Sequence, residues 1–266
     1  MSSETKLGRR RVSLGWLPHV VGVGALFVVL APALSLVATL LQRVRLDSAV
    51  LRALGEAVVG SLILVSLGLS LAVPLGIAAG VHVATHPRTR LAKLASVAID
   101  ILSGVPSIVV GVVAYALVVL PTGRFSVPAG AVALALVAFP EVARSTTDLV
   151  ASVPTPVVDT ALSLGVSSWR VTTFLLLRAR GAALVASLAA VACRSLGEVA
   201  PLLFTTASGA AFDGSLGAPM SSLAVEAFLS VHTPDGGARA ATLSLFLVAA
   251  TMTIALLVRR RAPRSA

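Results

Sequence analysis

Six apolar runs, each bounded by polar or charged residues, dominate the pattern of the chain. They extend from Trp16 to Leu41, Ala57 to Val81, Leu94 to Leu120, Val127 to Pro140, Gly181 to Phe204 and Ala240 to Val258. A bilayer core about 30 Å thick takes about 20 helical residues to cross, so the five longer runs are typical of spanning helices. The fourth has 14 residues, a length at which a span and a re-entrant segment look alike. The pattern predicts an all-α membrane protein with six transmembrane helices.

The first run follows Lys6 and three arginines, as the apolar part of a signal peptide would. It is 26 residues long, however, and continues well past Ala31-Pro32-Ala33, which could mimic a cleavage site. The apolar part of a signal peptide has about 7 to 15 residues. We therefore expect an uncleaved first span.

Basic residues are distributed unevenly between the runs, which indicates the orientation. With the N-terminus inside, fifteen basic residues flank the spans on the cytoplasmic side and five on the outside. An excess of Lys and Arg marks cytoplasmic flanks, and omitting the fourth span would move the C-terminal arginines outside. We predict a multi-pass protein of the cytoplasmic (inner) membrane with both termini cytoplasmic. Its parts are an N-terminal tail at 1–15, a membrane domain at 16–258 and a basic tail at 259–266.

The composition agrees with a membrane protein and argues against a nucleic-acid-binding protein, a disulfide-bonded protein and a multi-cysteine metal protein. Hydrophobic residues make up 57% of the chain and charged residues 12%, and the mean hydropathy is +0.98. A net charge of +10 could suggest nucleic-acid binding, but the basic residues cluster between apolar runs and aromatic residues amount to only 4%. The single Cys193 excludes an internal disulfide or a multi-cysteine metal site. The sequence predicts no catalytic residue, no metal ligand and no nucleic-acid partner.

Two connections are longer than simple turns: an inside loop at 144–180 and an outside loop at 205–239. Loops of this length are usually functional or mobile. In the inside loop, Thr155 suits a helix N-cap, Pro156 the first helical position and Gly165 the left-handed position after the end.

The signals in the inside loop predict a short helix from Pro156 to Leu164, with a second helix starting near Trp169 behind a cap at Ser167 or Ser168. The first helix has an apolar face, which could dock on a partner or pack on the protein's own helix ends. Its members are Val157, Val158, Ala161, Leu162 and Leu164.

The inside loop resembles the cytoplasmic motif of permease subunits of ATP-binding-cassette importers. That motif has a Glu-Ala-Ala triplet, a Gly four residues after the last Ala, and an Ile-x-Leu-Pro end after a nine-residue spacer. Here Asp159-Thr160-Ala161 stands at the triplet, Gly165 at the Gly and Leu175-Leu176-Leu177-Arg178 at the end, so Asp, Thr and Arg178 depart from the motif. In the family this loop inserts into the ATPase subunit. The resemblance implies coupling residues, namely Asp159, Ala161, Leu162, Gly165 and Trp169.

Three further sequence segments restrict the resemblance to one family of importer permeases. They are Ser103-Gly104-Val105-Pro106-Ser107-Ile108-Val109-Val110-Gly111, Arg144-Ser145-Thr146-Thr147 and Arg194-Ser195-Leu196-Gly197-Glu198-Val199-Ala200-Pro201-Leu202-Leu203-Phe204-Thr205. Together they are similar to the PstA family of phosphate-specific transport permeases, over about residues 55–258. The resemblance implies a MetI-like type I importer fold that translocates inorganic phosphate. Its implied partners are a PstC-like permease, a PstB-like ATPase dimer and a PstS-like extracytoplasmic phosphate-binding protein.

The lysines argue independently that the energy comes from another subunit. A phosphate-cradling P-loop needs Gly-Lys-Ser/Thr, but the only lysines, Lys6 and Lys93, are each followed by Leu. The chain cannot hydrolyse ATP by that route. We expect no cofactor in this chain, and ATP and Mg²⁺ on the partner ATPase.

Arg194 and Glu198 lie within the fifth run at four-residue spacing, and Gly197 leaves one side of the helix open. A charge at the centre of a span costs about 2.5 to 3.5 kcal/mol on insertion scales, so each needs a partner or water. One interpretation is a self-neutralising pair that keeps the helix insertable. The other is a guanidinium that faces a water-filled path and offers a moving phosphate a bidentate partner.

Other ionisable residues lie in or beside the third and fourth runs. Asp100 could neutralise Arg194 from the third run, where Pro106 predicts a kink or break of the kind tolerated beside a cavity. Glu141 and Arg144, three residues apart near the cytoplasmic boundary, are predicted to pair with each other in a structural role. The pathway candidates are therefore Arg194, Glu198, Asp100 and Pro106.

Other functions are compatible with parts of this pattern. A permease for sulfate or molybdate would share the fold and the loop, so only the strings around Arg194 and Pro106 favour phosphate. An intramembrane hydrolase would need a nucleophile and a base at membrane depth. The histidines, which all lie near predicted membrane ends, are His19, His82, His86 and His232. A membrane scaffold would explain the spans but not the coupling-type loop.

Overall fold

The computed structural model describes residue 31 and residues 34–174, 178–206, 215–234 and 236–261. The chain divides into two units, Met1–Gln42 and Arg43–Ala266. In the first unit residues 34–42 are helical. Most of the predicted first span, the N-terminal tail, the string at 175–177 and the end of the basic tail lie outside the described residues.

Helices account for the ordered structure of the second unit, and no strand occurs among its described residues. The helices are α1 (Ser48–Thr85), α2 (Arg90–Gly104), α3 (Ser107–Ala114, extended to Thr122 through a π-helical turn at Tyr115–Val119), α4 (Val127–Ala151), α5 (Thr155–Ser163), α6 (Ser168–Phe174), α7 (Gly181–Leu196), the short α8 (Ala200–Leu203), α9 (Leu223–Ser230) and α10 (Gly237–Arg261).

Glycines bring α1 and α4 into close contact along most of their length. A Cβ atom added at Gly68 would lie 2.8 Å from Cβ of Leu134, and one added at Gly76 would lie 2.7 Å from Cβ of Val142. Small residues at such a seam let two helix backbones approach closely, as membrane helices do when lipid gives no hydrophobic drive to associate. The α1–α4 pair is therefore the centre of the bundle.

The same contacts show that α1 and α4 run parallel, because Gly68 faces Leu134 and Gly76, eight residues later, faces Val142, also eight residues later. Two parallel neighbours require the intervening chain to return along the bundle. That return is made by α2 and α3, which meet at an angle of 107°. The α2–α3 pair thus behaves as one broken span.

Helix α7 packs on α4 and runs in the opposite direction. Val191 packs in a cluster with Val142, and further along the chain Leu202 of α8 packs with Leu134. The chain then folds back over the end of the bundle where α1 and α4 begin, which we call the far end. The opposite end, at which α1 and α4 terminate and α5 and α6 lie, is called the loop end.

At the far end, α9 closes the bundle. Its N-cap Ser222 accepts a hydrogen bond from the backbone of Val225, and the Leu223 N–H donates to Ser61 Oγ of α1 at 2.8 Å. Leu223 packs with Leu243 of α10, which runs towards the loop end. Part of the predicted outside loop is thus a buried helix.

The predicted spans correspond to helices in different ways. Helices α1, α4 and Gly237–Val258 of α10 are long and apolar enough to cross a membrane, so the fourth run is a full-length candidate span. The kink or break predicted at Pro106, within the run from Leu94 to Leu120, is confirmed. The fifth run is also interrupted, because α7 ends at Leu196. The number of six spans stays a prediction.

We predict that the α1–α4 seam limits stability. Gly76→Leu forces the two backbones apart and should lower stability by about 1 to 3 kcal/mol, as other overpacked cores do. The matched control is Gly55→Leu on the same helix, where an added Cβ meets nothing within 4 Å. Thermal unfolding in detergent, followed by size-exclusion chromatography, should show a lower midpoint for Gly76→Leu alone. Equal unfolding midpoints for the two variants would contradict the prediction that close packing of α1 on α4 limits stability.

Candidate functional site

A polar cavity lies at the break between α2 and α3. Pro106 disfavours a helical conformation at the residue before it, and Val105 is accordingly extended, with φ −74° and ψ 129°. The cavity has a volume of about 210 Å³, which is enough for several water molecules. Its polar side chains are Ser103, Ser107, Glu141 and Arg194.

A second helix break places Arg194 at this cavity. Helix α7 ends at Leu196, and Pro201 lacks the N–H that a continuing helix would bond to the carbonyl of Gly197. Arg194 therefore lies in the last turn of α7 and Glu198 lies in the break, rather than both at mid-helix as predicted. The close helix contact expected at Gly197 is absent, because an added Cβ there would meet only the Arg194 carbonyl, at 3.5 Å.

Arg194 contacts two carboxylates. Its Nη1 atom lies 2.5 Å from Oε1 of Glu141 on α4, and its Nε atom lies 3.7 Å from Oε1 of Glu198. The Arg194 side chain is 64% exposed, whereas Glu198 is 12% exposed. The predicted Arg194–Glu198 pair is present, but the shorter contact is to Glu141, so the pair is not self-contained.

The second ion pair joins α2 to α4. Arg144 Nη2 lies 2.5 Å from Asp100 Oδ1, and both side chains are exposed. The predictions that Asp100 neutralises Arg194 and that Glu141 pairs with Arg144 are therefore wrong. Each α4 side chain reaches across to another helix instead of along its own.

Glu141 and Arg144 still lie on one side of α4, one helical turn apart. The two ion pairs therefore follow each other along the bundle, with Arg144 nearer the loop end. Both arginines are largely exposed in this subunit. Exposed guanidinium groups held by carboxylates can exchange a protein partner for a diffusing anion.

The inside loop forms the two predicted helices, α5 and α6. Gly165 has φ 80° in the left-handed region, as predicted. The Val166 N–H donates to the Ala161 carbonyl and the Gly165 N–H to the Leu162 carbonyl, the two bonds of a Schellman motif. The predicted cap at Thr155 is wrong, because α5 begins one residue earlier with Pro154 as N-cap and no side-chain cap bond.

The apolar face of α5 is divided between two surroundings. Val158 and Leu162 line a cavity of about 320 Å³ against the ends of α1 and α4, together with Val171 of α6. Leu164 is 77% exposed and Trp169 is 71% exposed. The loop thus packs partly on its own helix ends and partly presents apolar side chains to the surroundings. Asp159 lies on the exposed polar side.

Sequence reasoning missed three members of the site: Ser103, Ser107 and the role of Glu141 as the partner of Arg194. The two serines flank Pro106, so the predicted break was the signal for them. No local signal identifies Glu141, because its partner lies more than 50 residues away. Among the residues that the structure describes, no three His, Cys, Asp or Glu side chains come together as metal ligands would.

Comparison of sequences identifies relatives. The chain is 32% identical over 180 residues to the phosphate transport system permease protein PstA of Pasteurella multocida, covering 67% of this chain and 64% of that protein. It is 35% identical over 182 residues to PstA of Yersinia pestis, covering 68% of this chain and 62% of that protein. The chain thus aligns with less than two thirds of the length of these relatives.

Comparison of structures shows the fold. The chain resembles a chain of the MetNI methionine ABC transporter in an inward-facing conformation, with a TM-score of 0.56 and 16% identity, covering 81% of this chain and 97% of that chain. The predicted MetI-like importer permease fold is confirmed.

The family model for the binding-protein-dependent transport system inner membrane component matches residues 72–264. This range is well over half of the chain and contains both helix breaks, both ion pairs and the inside loop. The resemblance found in the loop and its flanking strings is therefore confirmed at the level of the family. The protein belongs to the family of binding-protein-dependent transport system inner membrane components.

Proposed function

We propose that the chain is the permease subunit of an ATP-driven importer that translocates inorganic phosphate across the cytoplasmic membrane. It acts as a transport subunit and not as an enzyme. The observation that carries the proposal is the exposed guanidinium of Arg194, which lines a polar cavity between two helix breaks.

The cavity has the chemistry of an anion path. Irregular backbone at membrane depth is tolerated where it lines a water-filled cavity or is buried in protein. Helix α3 begins at Ser107 on the cavity, and the N-terminus of a helix favours negative charge. Arg194 adds a permanent positive charge that can bind a tetrahedral oxyanion through two parallel hydrogen bonds. The Arg144–Asp100 pair offers a second position at which an anion could bind, nearer the loop end.

The relatives favour phosphate over other oxyanions. The proteins of Pasteurella multocida and Yersinia pestis are both phosphate transport system permeases. Their alignments with this chain cover 64% and 62% of their own length. We therefore assign phosphate as the substrate by analogy, supported by the anion chemistry of the cavity.

The loop end supplies the coupling. Leu164, the C-cap of α5, and Trp169 of α6 expose apolar side chains, an arrangement that suits docking into a groove of a separate subunit. In this proposal the loop end lies in the cytoplasm with both termini on that side, and it docks on an ATPase dimer of the PstB type that carries ATP and Mg²⁺. A second permease of the PstC type and a phosphate-binding protein of the PstS type complete the importer.

We predict that removal of the charge of Arg194 abolishes transport without preventing assembly. Because Arg194 has two carboxylate partners, Arg194→Gln alone would leave two unpaired negative charges. The informative variant combines Arg194→Gln, Glu141→Gln and Glu198→Gln, which removes all three charges. Uptake of radiolabelled phosphate by proteoliposomes that contain the assembled importer should fall to background.

A merely structural cluster gives the opposite result for the triple variant, since neutral residues would restore packing and insertion. Assembly with the partner subunits, checked by co-purification, separates the two cases. Near-normal phosphate uptake by the assembled triple variant would refute a path past Arg194.

We also predict that an added charge at the exposed C-cap of α5 uncouples the ATPase. Leu164→Asp places a carboxylate where an apolar contact is proposed, and it disturbs no packing within the chain because Leu164 is already exposed. ATPase recruitment or phosphate-dependent ATP hydrolysis should fall at least about tenfold, as expected for loss of an interface anchor worth more than about 1 to 2 kcal/mol. The matched control, Ser163→Asp, puts the same charge on the exposed polar side of α5.

Membrane insertion of both variants should equal that of the wild type. If Leu164→Asp recruits the ATPase and sustains hydrolysis as well as Ser163→Asp does, α5 is not the docking element.

A further inference from the structure

The charges around Arg194 do not balance. One guanidinium faces two carboxylates, Glu141 at 2.5 Å and Glu198 at 3.7 Å, so the centre as a whole is negative. A cavity that only had to attract an anion would be served by fewer acids, since an ionised carboxylate repels an anion. The surplus carboxylate therefore requires an explanation beyond neutralisation of Arg194.

The two carboxylates occupy different places. Glu198 is nearly buried in the break after α7, and it is not among the side chains that line the cavity. Glu141 is 27% exposed and lines the cavity beside Arg194. Glu141, which makes the shorter contact to Arg194, is therefore also the carboxylate that an anion in the cavity would meet, whereas Glu198 stays beside Arg194 outside the cavity lining.

A carboxylate can contact an anion favourably only if that anion carries a proton. Ionised carboxylates are acceptors and never donors of hydrogen bonds. Near neutral pH phosphate retains at least one proton on oxygen, whereas sulfate and molybdate retain none. Hydrogen phosphate can thus accept hydrogen bonds from Arg194 and donate one to Glu141 at the same time. A fully ionised oxyanion in the same position would face the carboxylate with no proton between them.

We propose that Glu141 is the specificity-determining residue of the cavity, selecting protonated tetrahedral oxyanions over fully deprotonated ones. This inference rests on the proposed function of the same site. It separates phosphate and arsenate, which carry a proton, from sulfate and molybdate, which do not. The selection is made inside the membrane subunit, independently of any binding protein that delivers the substrate.

The physical basis is the asymmetry between a formed and an unformed hydrogen bond. A hydrogen bond to a charged group contributes enough for about a ten- to hundredfold difference in binding. Sites that hydrogen-bond a substrate proton reject analogues that lack it because the polar group of the site is left unpaired. The repulsion between Glu141 and a dianion adds to this discrimination.

The test measures anion binding by the full chain with its partner permease and ATPase in lipid nanodiscs, without nucleotide and without the binding protein. Radiolabelled phosphate is displaced by unlabelled phosphate, arsenate or sulfate. For the wild type, arsenate should compete about as well as phosphate and sulfate at least about tenfold less well. In Glu141→Gln the amide can donate to sulfate, and the phosphate-to-sulfate preference should fall about ten- to a hundredfold.

Two further variants control for charge and for packing. Asp148→Asn removes an exposed carboxylate two turns further along α4 and should keep the wild-type preference. Glu141→Asp keeps the acceptor on a shorter side chain and should reject sulfate more strongly than Glu141→Gln does.

The outcomes distinguish this inference from the proposed function. A wild type that prefers phosphate, with the same preference in Glu141→Gln, would overturn the role of Glu141 and leave the phosphate permease intact. Loss of binding of all three anions in Glu141→Gln would also overturn it, since Glu141 would then only position Arg194. A wild type that binds sulfate as well as phosphate would refute the assignment of phosphate itself.

Discussion

The close contact of α1 with α4 sets the position of the two charged groups that α4 contributes to the site, Glu141 and Arg144. Gly68 and Gly76 allow the two backbones to approach, and this fixes the depth and rotation of α4. Since Glu141 and Arg144 project from α4, their partners on α7 and α2 must arrive at matching depths. A wider spacing between α1 and α4 would shift these two residues relative to Arg194 and Asp100. The pairing of charges between helices thus depends on the close packing of small residues between α1 and α4.

Helix breaks create the polar cavity, which continuous spans could not form. An uninterrupted helix satisfies its own backbone hydrogen bonds and presents only side chains to its neighbours. Breaks at Pro106 and around Gly197 instead open a polar cavity within the bundle. Both breaks follow from proline chemistry, through the extended residue before Pro106 and the missing N–H of Pro201. The cavity therefore arises from local sequence, whereas its location depends on how α2, α4 and α7 pack.

Local signals in the sequence predicted local structure well. The loop helix ending at Gly165 was predicted because a left-handed residue and its two hydrogen bonds involve only neighbouring residues. Its start was misplaced by one residue because the first four helical N–H groups need no intrahelical partner, so proline fits more than one position there. The break after α7 was missed although Pro201 signalled it.

The ion pairs could not be predicted from sequence. The three-residue spacing suggested that Glu141 would pair with Arg144. Such spacing on a helix shows only that two side chains can reach each other, not that they pair. The actual choice depends on which arginine another helix brings closer, and Arg194 is supplied by α7 from over 50 residues away. The positions of the charges therefore located the site along the chain, but only the packing of the helices showed which groups pair.

We propose that this chain carries phosphate through a path lined by Arg194. The most direct test of this claim is ATP-dependent uptake by proteoliposomes that contain the wild-type chain, a PstC-like permease, the ATPase and the binding protein, with radiolabelled phosphate and radiolabelled sulfate measured in parallel. We expect uptake of phosphate that requires ATP and all four components, with sulfate at the level of protein-free vesicles. ATP-dependent uptake of sulfate with no uptake of phosphate would contradict the claim.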